Sequence, residues 1–194
     1  MKKLSIFILV LSLMLISSSA LAAGHMAEKG TWTFGADFDL GGNMSFTPES
    51  GSIPDEDIST GFTVDAEYLM PAKNKISYGG GIAYQLSRSL KDNEDATFSF
   101  VPLYGLLKYE MAQDSYLVGH LGYNLLSGND NFKASEDGTA ELGGGFYYAA
   151  GIGVSMENYN AELLYSFNNG SWDDSVTKLD LTYSKLSLSF GMSF

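Results

Sequence analysis

The sequence has no cysteine and only a small share of basic residues. Without cysteine, the chain has no disulfide framework, no thiol nucleophile and no cysteine-ligated zinc site. Only 11 Lys and Arg residues stand against 23 Asp and Glu residues, which gives a formal net charge of −12. A chain this acidic lacks the positive charge that neutralises nucleic-acid phosphates, so we exclude nucleic acid as a partner.

Long hydrophobic runs are also missing, except at the N terminus. There, two lysines precede an apolar run from Ile6 to Ile16, and Ala20-Leu21-Ala22 fits the small-x-small rule for signal cleavage. The run is shorter than the about 20 residues of a membrane-spanning helix. We therefore predict a cleaved secretory signal peptide at residues 1–22, with an uncleaved anchor as the alternative.

The rest of the chain divides into a short tail and one domain. Residues 23–29 are predicted to be a flexible N-terminal tail, in which Gly24-His25-Met26 has the composition of a cloning remnant. Residues 30–194 have the length of a single domain. The chain is rich in the residues of alternating β-strands, with 12 Tyr, 12 Phe and 22 Gly but only 4 Pro.

Apolar and polar residues alternate in eight segments of this domain. A period of two predicts β-strands with one apolar and one polar face. The polar faces carry carboxylates deep within the segments, where a dry protein interior makes them costly. A small membrane barrel accommodates both faces, because its inside is polar and its outside meets lipid. The eight segments are TWTFGADFDL, GFTVDAEYLM, ISYGGGIAYQLS, FSFVPLYGLLKYEM, SYLVGHLGYNLL, FYYAAGIGVSM, YNAELLYSF and KLSLSFGMSF.

Two further patterns favour a barrel over a soluble sandwich. Aromatic residues stand at the ends of the apolar faces, as at a membrane–water interface. Long polar connections alternate with short ones such as AQD and EN, which is typical of long extracellular loops and short periplasmic turns. We predict an eight-stranded antiparallel up-and-down transmembrane β-barrel. The rim aromatics are Trp32, Tyr68, Tyr78, Tyr109 and Tyr159.

The fourth and last segments need a choice of face. In the last, Leu181 and Tyr183 have the opposite parity to Leu186, so we predict a β-bulge near Ser184–Lys185. A tight turn there would give nine strands and put the C terminus outside the cell, which we reject. In the fourth, Pro102 lacks a ladder donor and predicts a local irregularity. Its outer face is assigned to Val101, Leu103, Leu107 and Tyr109.

The polar faces predict a lumen filled by charged side chains. Eight strands enclose a space that side chains fill, or that holds one small ligand. We expect opposite charges there to pair in a structural polar core, with a narrow cation path as the alternative. The predicted lumen charges are Asp37, Asp39, Asp65, Glu67, Lys108, His120, Glu162 and Lys185.

Acidic residues also concentrate in the predicted outer loops. Such runs usually form a solvated surface, but clustered carboxylates attract hard cations. We predict a solvated surface and no dedicated metal centre, with weak Ca²⁺ or Mg²⁺ binding that bridges the loops to lipopolysaccharide phosphates as the functional alternative. The candidate residues are Asp55, Glu56, Asp57, Asp173 and Asp174.

The sequence offers no catalytic constellation. The stretch LLYSFNNGSWDD contains Ser166, but Tyr165 stands where a lipid-modifying barrel needs a histidine. A serine without a neighbouring general base is not activated. We therefore expect no catalytic residues and no cofactor, and a lipid-A-modifying enzyme is the least favoured alternative.

Several stretches resemble one family of membrane proteins. FVPLYGLLKYEM, YLVGHLGYNLLSG, YYAAGIGVSMENYNAELLYSF and the ending LSLSFGMSF are similar, in this order, to the porin-family, opacity-type barrels and, more broadly, to the OmpA-type membrane domain. The resemblance covers most of residues 30–194 and implies the outer membrane of a Gram-negative cell. The ending also resembles the signal read by the barrel-assembly machinery, which Leu188, Phe190, Met192 and Phe194 would carry.

These observations predict a non-enzymatic outer-membrane protein. Its role is expected to be structural, or to be surface interaction with an extracellular partner through the acidic loops, because loops on a rigid scaffold often carry recognition. Its other expected partners are outer-membrane lipid and lipopolysaccharide. The alternative is a narrow pore for ions or small solutes.

Overall fold

The computed structural model describes residues 30–48, 51, 53–71, 74–112, 114–135, 138–174 and 176–194. The predicted signal peptide at 1–22 and tail at 23–29, including Gly24-His25-Met26, lie outside the described residues and stay predictions.

The alternating segments form β-strands, accompanied in the described part of the chain by one short helix. The helix, α1 (Asp130–Lys133), is capped by Asn129, whose side chain accepts a hydrogen bond from the backbone N–H of Phe132. No helix in the described part of the chain is long and apolar enough to cross a membrane. The strands are β1 (Thr31–Pro48), β2 (Glu56–Ile58), β3 (Gly61–Pro71), β4 (Ile76–Gln85), β5 (Arg88–Ser89), β6 (Thr97–Ala112), β7 (Ser115–Gly128), β8 (Ala134–Ser135), β9 (Gly138–Thr139), β10 (Glu141–Met156), β11 (Tyr159–Asp173) and β12 (Lys178–Ser193).

Eight of these strands form a closed antiparallel ring. Each long strand pairs with the next long strand in the chain, and β12 returns to pair with β1. The ring order is β1, β3, β4, β6, β7, β10, β11 and β12. Closure pairs the backbone groups that an open edge leaves exposed, which lipid does not tolerate. The predicted eight-stranded antiparallel barrel is therefore confirmed.

The two ends of the barrel differ. The short connections between β6 and β7 and between β10 and β11 lie at the same end as the first residue of β1 and the last of β12, and we assign this end to the periplasm. At the opposite end the connections carry β2, β5, α1, β8 and β9. This is the predicted arrangement of short periplasmic turns and longer extracellular connections.

The β-bulge predicted near Ser184–Lys185 is in the wrong strand. β12 runs through this stretch, and the extra residue lies in its partner β1, where the pairing shifts between Asp39 and Gly42. Gly41 has a φ of 88°, in the left-handed region that glycine adopts without steric cost. Glycine thus places the bulge in β1.

The parity change in the last strand has another cause. Leu181, Tyr183 and Lys185 are all buried on the inner face of β12, so the inside of the barrel itself turns from polar to apolar toward the extracellular end. Sequence alternation alone does not distinguish this change from a bulge. Buried apolar side chains from several strands meet there in what we call the upper core: Met44, Ile58, Ala96, Phe98, Phe100, Leu126, Phe132, Leu181 and Tyr183.

The upper core explains why strands continue into stretches predicted to be loops. β1 continues to Pro48 and β11 to Asp173, which leaves only residues 174–177 between β11 and β12. These extensions supply inner faces that bury apolar side chains, and each buried aromatic or aliphatic side chain stabilises by about 1.5–3 kcal/mol. The extracellular connections are accordingly shorter than the composition suggested.

Pro102 marks an interruption on one side of β6. Pairing with β4 stops at Ile82–Leu103 and resumes, through β5, at Arg88–Phe98. On its other side, β6 pairs with β7 through Pro102 without a shift. The predicted irregularity is therefore confirmed, and it lies on the β4 side.

The outer surface of the ring is apolar. In the fourth strand of the ring, β6, the exposed Leu107 and Tyr109 confirm the predicted outer face. Aromatic rings cluster near the periplasmic end, where Trp32 lies 5.1 Å from Tyr68 and Phe34 lies 6.1 Å from Phe194, measured between ring centroids. An exposed apolar band bounded by aromatic rings is the surface that a barrel presents to lipid.

We expect Gly41→Ala to lower the free energy of unfolding by roughly 1–2 kcal/mol, because a Cβ atom is disfavoured at positive φ. Urea-induced unfolding in phospholipid vesicles measures this change. Gly119→Ala is the matched control, since the added Cβ atom would approach no atom closer than 4.0 Å. Equal stability of the two variants would contradict the role of Gly41 in the bulge.

Candidate functional site

The candidate site is the lumen, where polar side chains lie below the upper core. Two groups of charged residues form ion pairs there, and two carboxylates stand outside them. Below these groups a cavity opens to the periplasm. Each part is built by the inward faces of strands on different sides of the ring.

The first group is centred on Asp39 of β1. Its carboxylate is fully buried and is bonded to the Arg88 guanidinium and to the Lys185 ammonium, whose Nζ atom lies 2.7 Å from Oδ1. The hydroxyls of Thr63 and Ser187 also donate to this carboxylate, at 2.8 Å and 2.6 Å. One buried anion is thus shared by two cations and two neutral donors, which is the satisfaction that a buried charge needs.

Arg88 is the residue that sequence reasoning missed. Its stretch, RSLKDNEDAT, is polar and rich in turn residues, a pattern that favours a loop. In the structure, β5 pairs Arg88 with Phe98 and turns the side chain inward, where it is almost fully buried. One signal was available, because Arg88 is the only arginine of the chain.

The second group is centred on Lys108 of β6. Its Nζ atom lies 2.6 Å from Glu162 Oε1 and 3.6 Å from Glu67 Oε2. Tyr116 donates to Glu162 at 2.6 Å, and Tyr104 donates to Glu67 at 3.0 Å. Strands β3, β6, β7 and β11 are thereby joined through side chains that cross the lumen.

His120 belongs to the edge of this second group. Its Nε2 atom lies 3.7 Å from Glu67 Oε1, and its ring stacks on Tyr104 with the centroids 4.5 Å apart. Its Nδ1 atom lies 3.4 Å from the Tyr147 hydroxyl. Aromatic packing and long polar contacts describe a structural histidine held between two tyrosines.

Asp37 and Asp65 lie outside both groups. Among the described residues, neither carboxylate has a cationic nitrogen within 4.0 Å. Asp37 accepts a hydrogen bond from the Ser189 side chain, but its Oδ1 atom is buried without a partner. Of the eight predicted lumen charges, six are thus brought into two groups and these two are left apart.

Two cavities of very different size lie among the described residues of the lumen. The periplasmic cavity, of about 280 Å³, is lined by Ser77, Lys108, Tyr116 and Tyr159 among others. The central cavity is about 20 Å³ and lies among the inward faces of β1, β3, β4 and β11. A space of this size holds roughly one water molecule.

The predicted loop acids lie on the extracellular side and belong to separate elements. Asp57 pairs with Lys91 at 3.2 Å, and both side chains are largely exposed. Asp174 accepts hydrogen bonds from the backbone N–H groups of Val176 and Thr177. The Thr177 bond holds the pKa of Asp174 below its usual value, which keeps this carboxylate ionised. No three His, Asp or Glu residues of the described ranges have the arrangement of a metal centre.

The residues weighed for catalysis do not assemble a nucleophile. Ser166 points into the lumen, where its hydroxyl has no hydrogen-bond partner, and Tyr165 faces outward. A serine without a base is unreactive. At the C terminus, Phe190 and Phe194 are exposed on the outer surface. Recognition of this ending by the assembly machinery stays a prediction.

Comparisons with known proteins bear on the fold. No protein-family model and no curated protein sequence matches the chain. Several solved structures do. The outer membrane protein OprG from Pseudomonas aeruginosa is 17% identical with a TM-score of 0.55, and the alignment covers 88% of this chain and 98% of OprG.

Two further structures share the architecture. Ail, the attachment invasion locus protein of Yersinia pestis, is 13% identical with a TM-score of 0.53, over 86% of this chain and 100% of Ail. Neisserial surface protein A is 12% identical with a TM-score of 0.53, over 86% of this chain and 100% of that protein. The chain therefore has the fold of the small outer-membrane β-barrels. The closed ring and its exposed apolar band make it a transmembrane barrel of an outer membrane, which confirms the predicted resemblance.

We expect Asp39→Asn to destabilise the barrel by roughly 3–5 kcal/mol, because it leaves Arg88 and Lys185 buried side by side without an anion. Asp57→Asn, which breaks the exposed pair with Lys91, is expected to cost at most about 1 kcal/mol. Urea unfolding of both variants in vesicles tests the difference. A loss as small for Asp39 as for Asp57 would show that the buried group does not stabilise the fold.

Proposed function

We propose that this protein is a non-enzymatic outer-membrane barrel whose lumen is closed at its extracellular end and whose acidic outer rim binds cationic partners. The observation that carries the first part is the upper core. The second part is supported by the charge of the loops. The two parts are tested separately.

The upper core blocks the lumen because its rings meet across the barrel. Phe98 and Phe100 come from β6, and Tyr183 comes from β12, on the opposite side of the ring. The ring centroids of Phe98 and Tyr183 are 5.5 Å apart, and those of Phe100 and Tyr183 are 6.3 Å apart. Phe132 of α1 packs on Phe98 at 5.2 Å and adds a lid from the connection above. Apolar rings in contact exclude water and the ions that it carries.

Below the rings, polar side chains also cross the lumen. Gln85 of β4 donates to Asn168 of β11 at 2.7 Å, and these strands again lie on opposite sides of the ring. The lumen is therefore filled at several heights by side chains that bond to each other. A filled lumen supports a structural or surface role over bulk transport.

The outer rim is strongly acidic. Carboxylates project from several extracellular connections, while the basic side chains there are Lys91, Lys133 and Lys178. Such a rim attracts cationic partners and repels polyanions. Ail has been solved in complex with the heparin analogue sucrose octasulfate, and the opposite preference is proposed for this chain. The exposed acids are Asp55, Asp57, Asp92, Glu94, Asp95, Asp130, Glu141, Asp173 and Asp180.

The same rim bears on the outer leaflet. Divalent cations that bridge Asp55, Glu56, Asp57, Asp173 or Asp174 to lipopolysaccharide phosphates would anchor the loops. No preformed metal site is needed for this binding, because hard cations bind carboxylates in variable arrangements and water supplies the remaining ligands.

We expect the wild-type barrel to give no steady conductance steps in a planar lipid bilayer, because the upper core closes the lumen. The double variant Phe98→Ala with Tyr183→Ala removes the rings that meet across the barrel and is expected to conduct. Phe38→Ala with Phe62→Ala is the matched control, since these rings pack together at 5.4 Å on the outer surface. Steady wild-type steps that vanish on neutralising Asp65 or Glu67 would overturn the closed-lumen proposal and favour a narrow pore.

We expect the barrel in zwitterionic nanodiscs to bind a lysine-rich peptide with an affinity that falls as salt is added, and not to bind sucrose octasulfate. Biolayer interferometry measures both. Neutralising Asp92, Glu94 and Asp95 together is expected to weaken peptide binding more than neutralising Glu110, Asp114 and Glu157 at the periplasmic end. Octasulfate binding, or equal loss in the two triple variants, would contradict the proposal for the rim.

A further inference from the structure

Two carboxylates in the centre of the lumen are not neutralised by any side chain around them. Asp37 and Asp65 lie on the neighbouring strands β1 and β3, on the same inner face. Their register positions are diagonal, since Gly35 pairs with Asp65 and Asp37 pairs with Thr63. Diagonal neighbours on one face of a sheet are close enough for their side chains to interact. Two carboxylates that are diagonal neighbours repel each other unless a cation lies between them or one of them is protonated.

Lys185 also lines the central cavity, but the lumen cations are bonded to other acids. Arg88 and Lys185 are bonded to Asp39, and Lys108 is bonded to Glu162 and Glu67. The five lumen acids thus share three strong cations, and the unpaired acids are Asp37 and Asp65. An unpaired charge at this depth is unfavourable, as for any buried ion.

A second observation is that other oxygen atoms face the same cavity without a partner. The central cavity is lined by Asp37, Asp65, Gln85 and Ser166. The Oδ1 atom of Asp37, the Oε1 atom of Gln85 and the Oγ atom of Ser166 are all buried and accept or donate no hydrogen bond. Gln85 is 2% and Ser166 is 3% exposed, so neither has bulk water as an alternative. Neutral oxygens together with two carboxylates are the ligands that hard cations prefer.

We propose that the central cavity binds a hard divalent cation such as Ca²⁺. The ion would be held between the carboxylates of Asp37 and Asp65. The two charges of the ion match the two unpaired carboxylates. The ion takes the place of the one water that the cavity could hold, and the neutral oxygens of Gln85 and Ser166 add to its shell. Two protein carboxylates are fewer than a calcium-specific loop supplies, so the affinity is expected to be modest.

The ion reaches this site from the periplasm. The periplasmic and central cavities share Thr33 and Asn160 in their walls, and the Lys108–Glu162 ion pair lies at their boundary, with Lys108 lining the first and Glu162 the second. The extracellular side is closed by the upper core. Binding is therefore independent of the loop acids at the outer rim.

Gly35 leaves the space that the Asp65 carboxylate occupies. A Cβ atom at this glycine would stand 2.4 Å from Asp65 Oδ1, too close for the carboxylate to keep its place. Gly35→Ala therefore displaces one ligand without changing the charge of the lumen. If Gly35→Ala weakens binding, the cation is held by correctly placed ligands. If it does not, the acidic lumen attracts cations through its charge alone.

The test is a titration of the refolded barrel in zwitterionic detergent at constant sodium chloride. Terbium, a luminescent substitute for calcium that tyrosine sensitises, is added first and is then displaced with CaCl₂. Asp37→Asn and Asp65→Asn are expected to weaken binding by roughly tenfold or more, and Gly35→Ala to weaken it measurably. Asp55→Asn with Asp57→Asn, which removes two charges at the rim, is the matched control and is expected to retain the lumen site.

Folding of each variant is checked by the change in gel mobility on heating. The Asn variants are expected to fold, because Asn has the shape of Asp and removes the repulsion between the two carboxylates. Calcium binding that persists in the folded Asp37 and Asp65 variants, or that is lost only in the rim control, would overturn the proposal. A wild-type barrel that binds no calcium would also overturn it, if its infrared spectrum shows the band of a protonated carboxyl and Asp37→Asn abolishes that band. The two carboxylates would then share a proton instead of a metal ion.

Discussion

The pairing of β12 with β1 is the constraint on which the rest of the structure depends. A sheet with an open edge would expose unpaired peptide groups to hydrocarbon, where no water satisfies them. Once the ring closes, the period-two alternation assigns every side chain to lipid or to the lumen. The chain can then be apolar outside and carry its charges inside, where most of them are bonded to each other. The bulge at Gly41 shifts the pairing of β1 with β12 by one residue, and β1 continues past it beyond the membrane.

The lumen is organised in layers. Apolar rings close the extracellular end, an anion shared by Arg88 and Lys185 lies below them, and Lys108 joins two glutamates nearer the periplasm. Each layer connects strands on different sides of the ring. The side-chain contacts in the lumen therefore stabilise the barrel in addition to the backbone hydrogen bonds between strands. The comparison with OprG, Ail and Neisserial surface protein A concerns the fold alone.

The alternation predicted the number of strands, their antiparallel order and the outward face, because lipid enforces one apolar side along the whole ring. It did not predict where the strands end. Leu181 and Tyr183 are apolar on the inner face, and a pattern that records only polarity cannot separate an apolar inside from a shifted register. Arg88 was missed for a similar reason, because a polar stretch near the rim looks like a loop although its arginine turns inward. The charges of Asp37 and Asp65 were predicted to be inside, but partners across a lumen depend on side-chain reach that the sequence does not contain.

The length of the strands has a mechanical consequence. β12 has 16 residues, and at about 3.3 Å per residue with a tilt of about 40° it rises roughly 40 Å, against an apolar band of about 25 Å in barrels of this kind. The surplus lies mostly above the bilayer, where the packed rings stiffen it. The barrel therefore holds its extracellular connections at a set height above the apolar band.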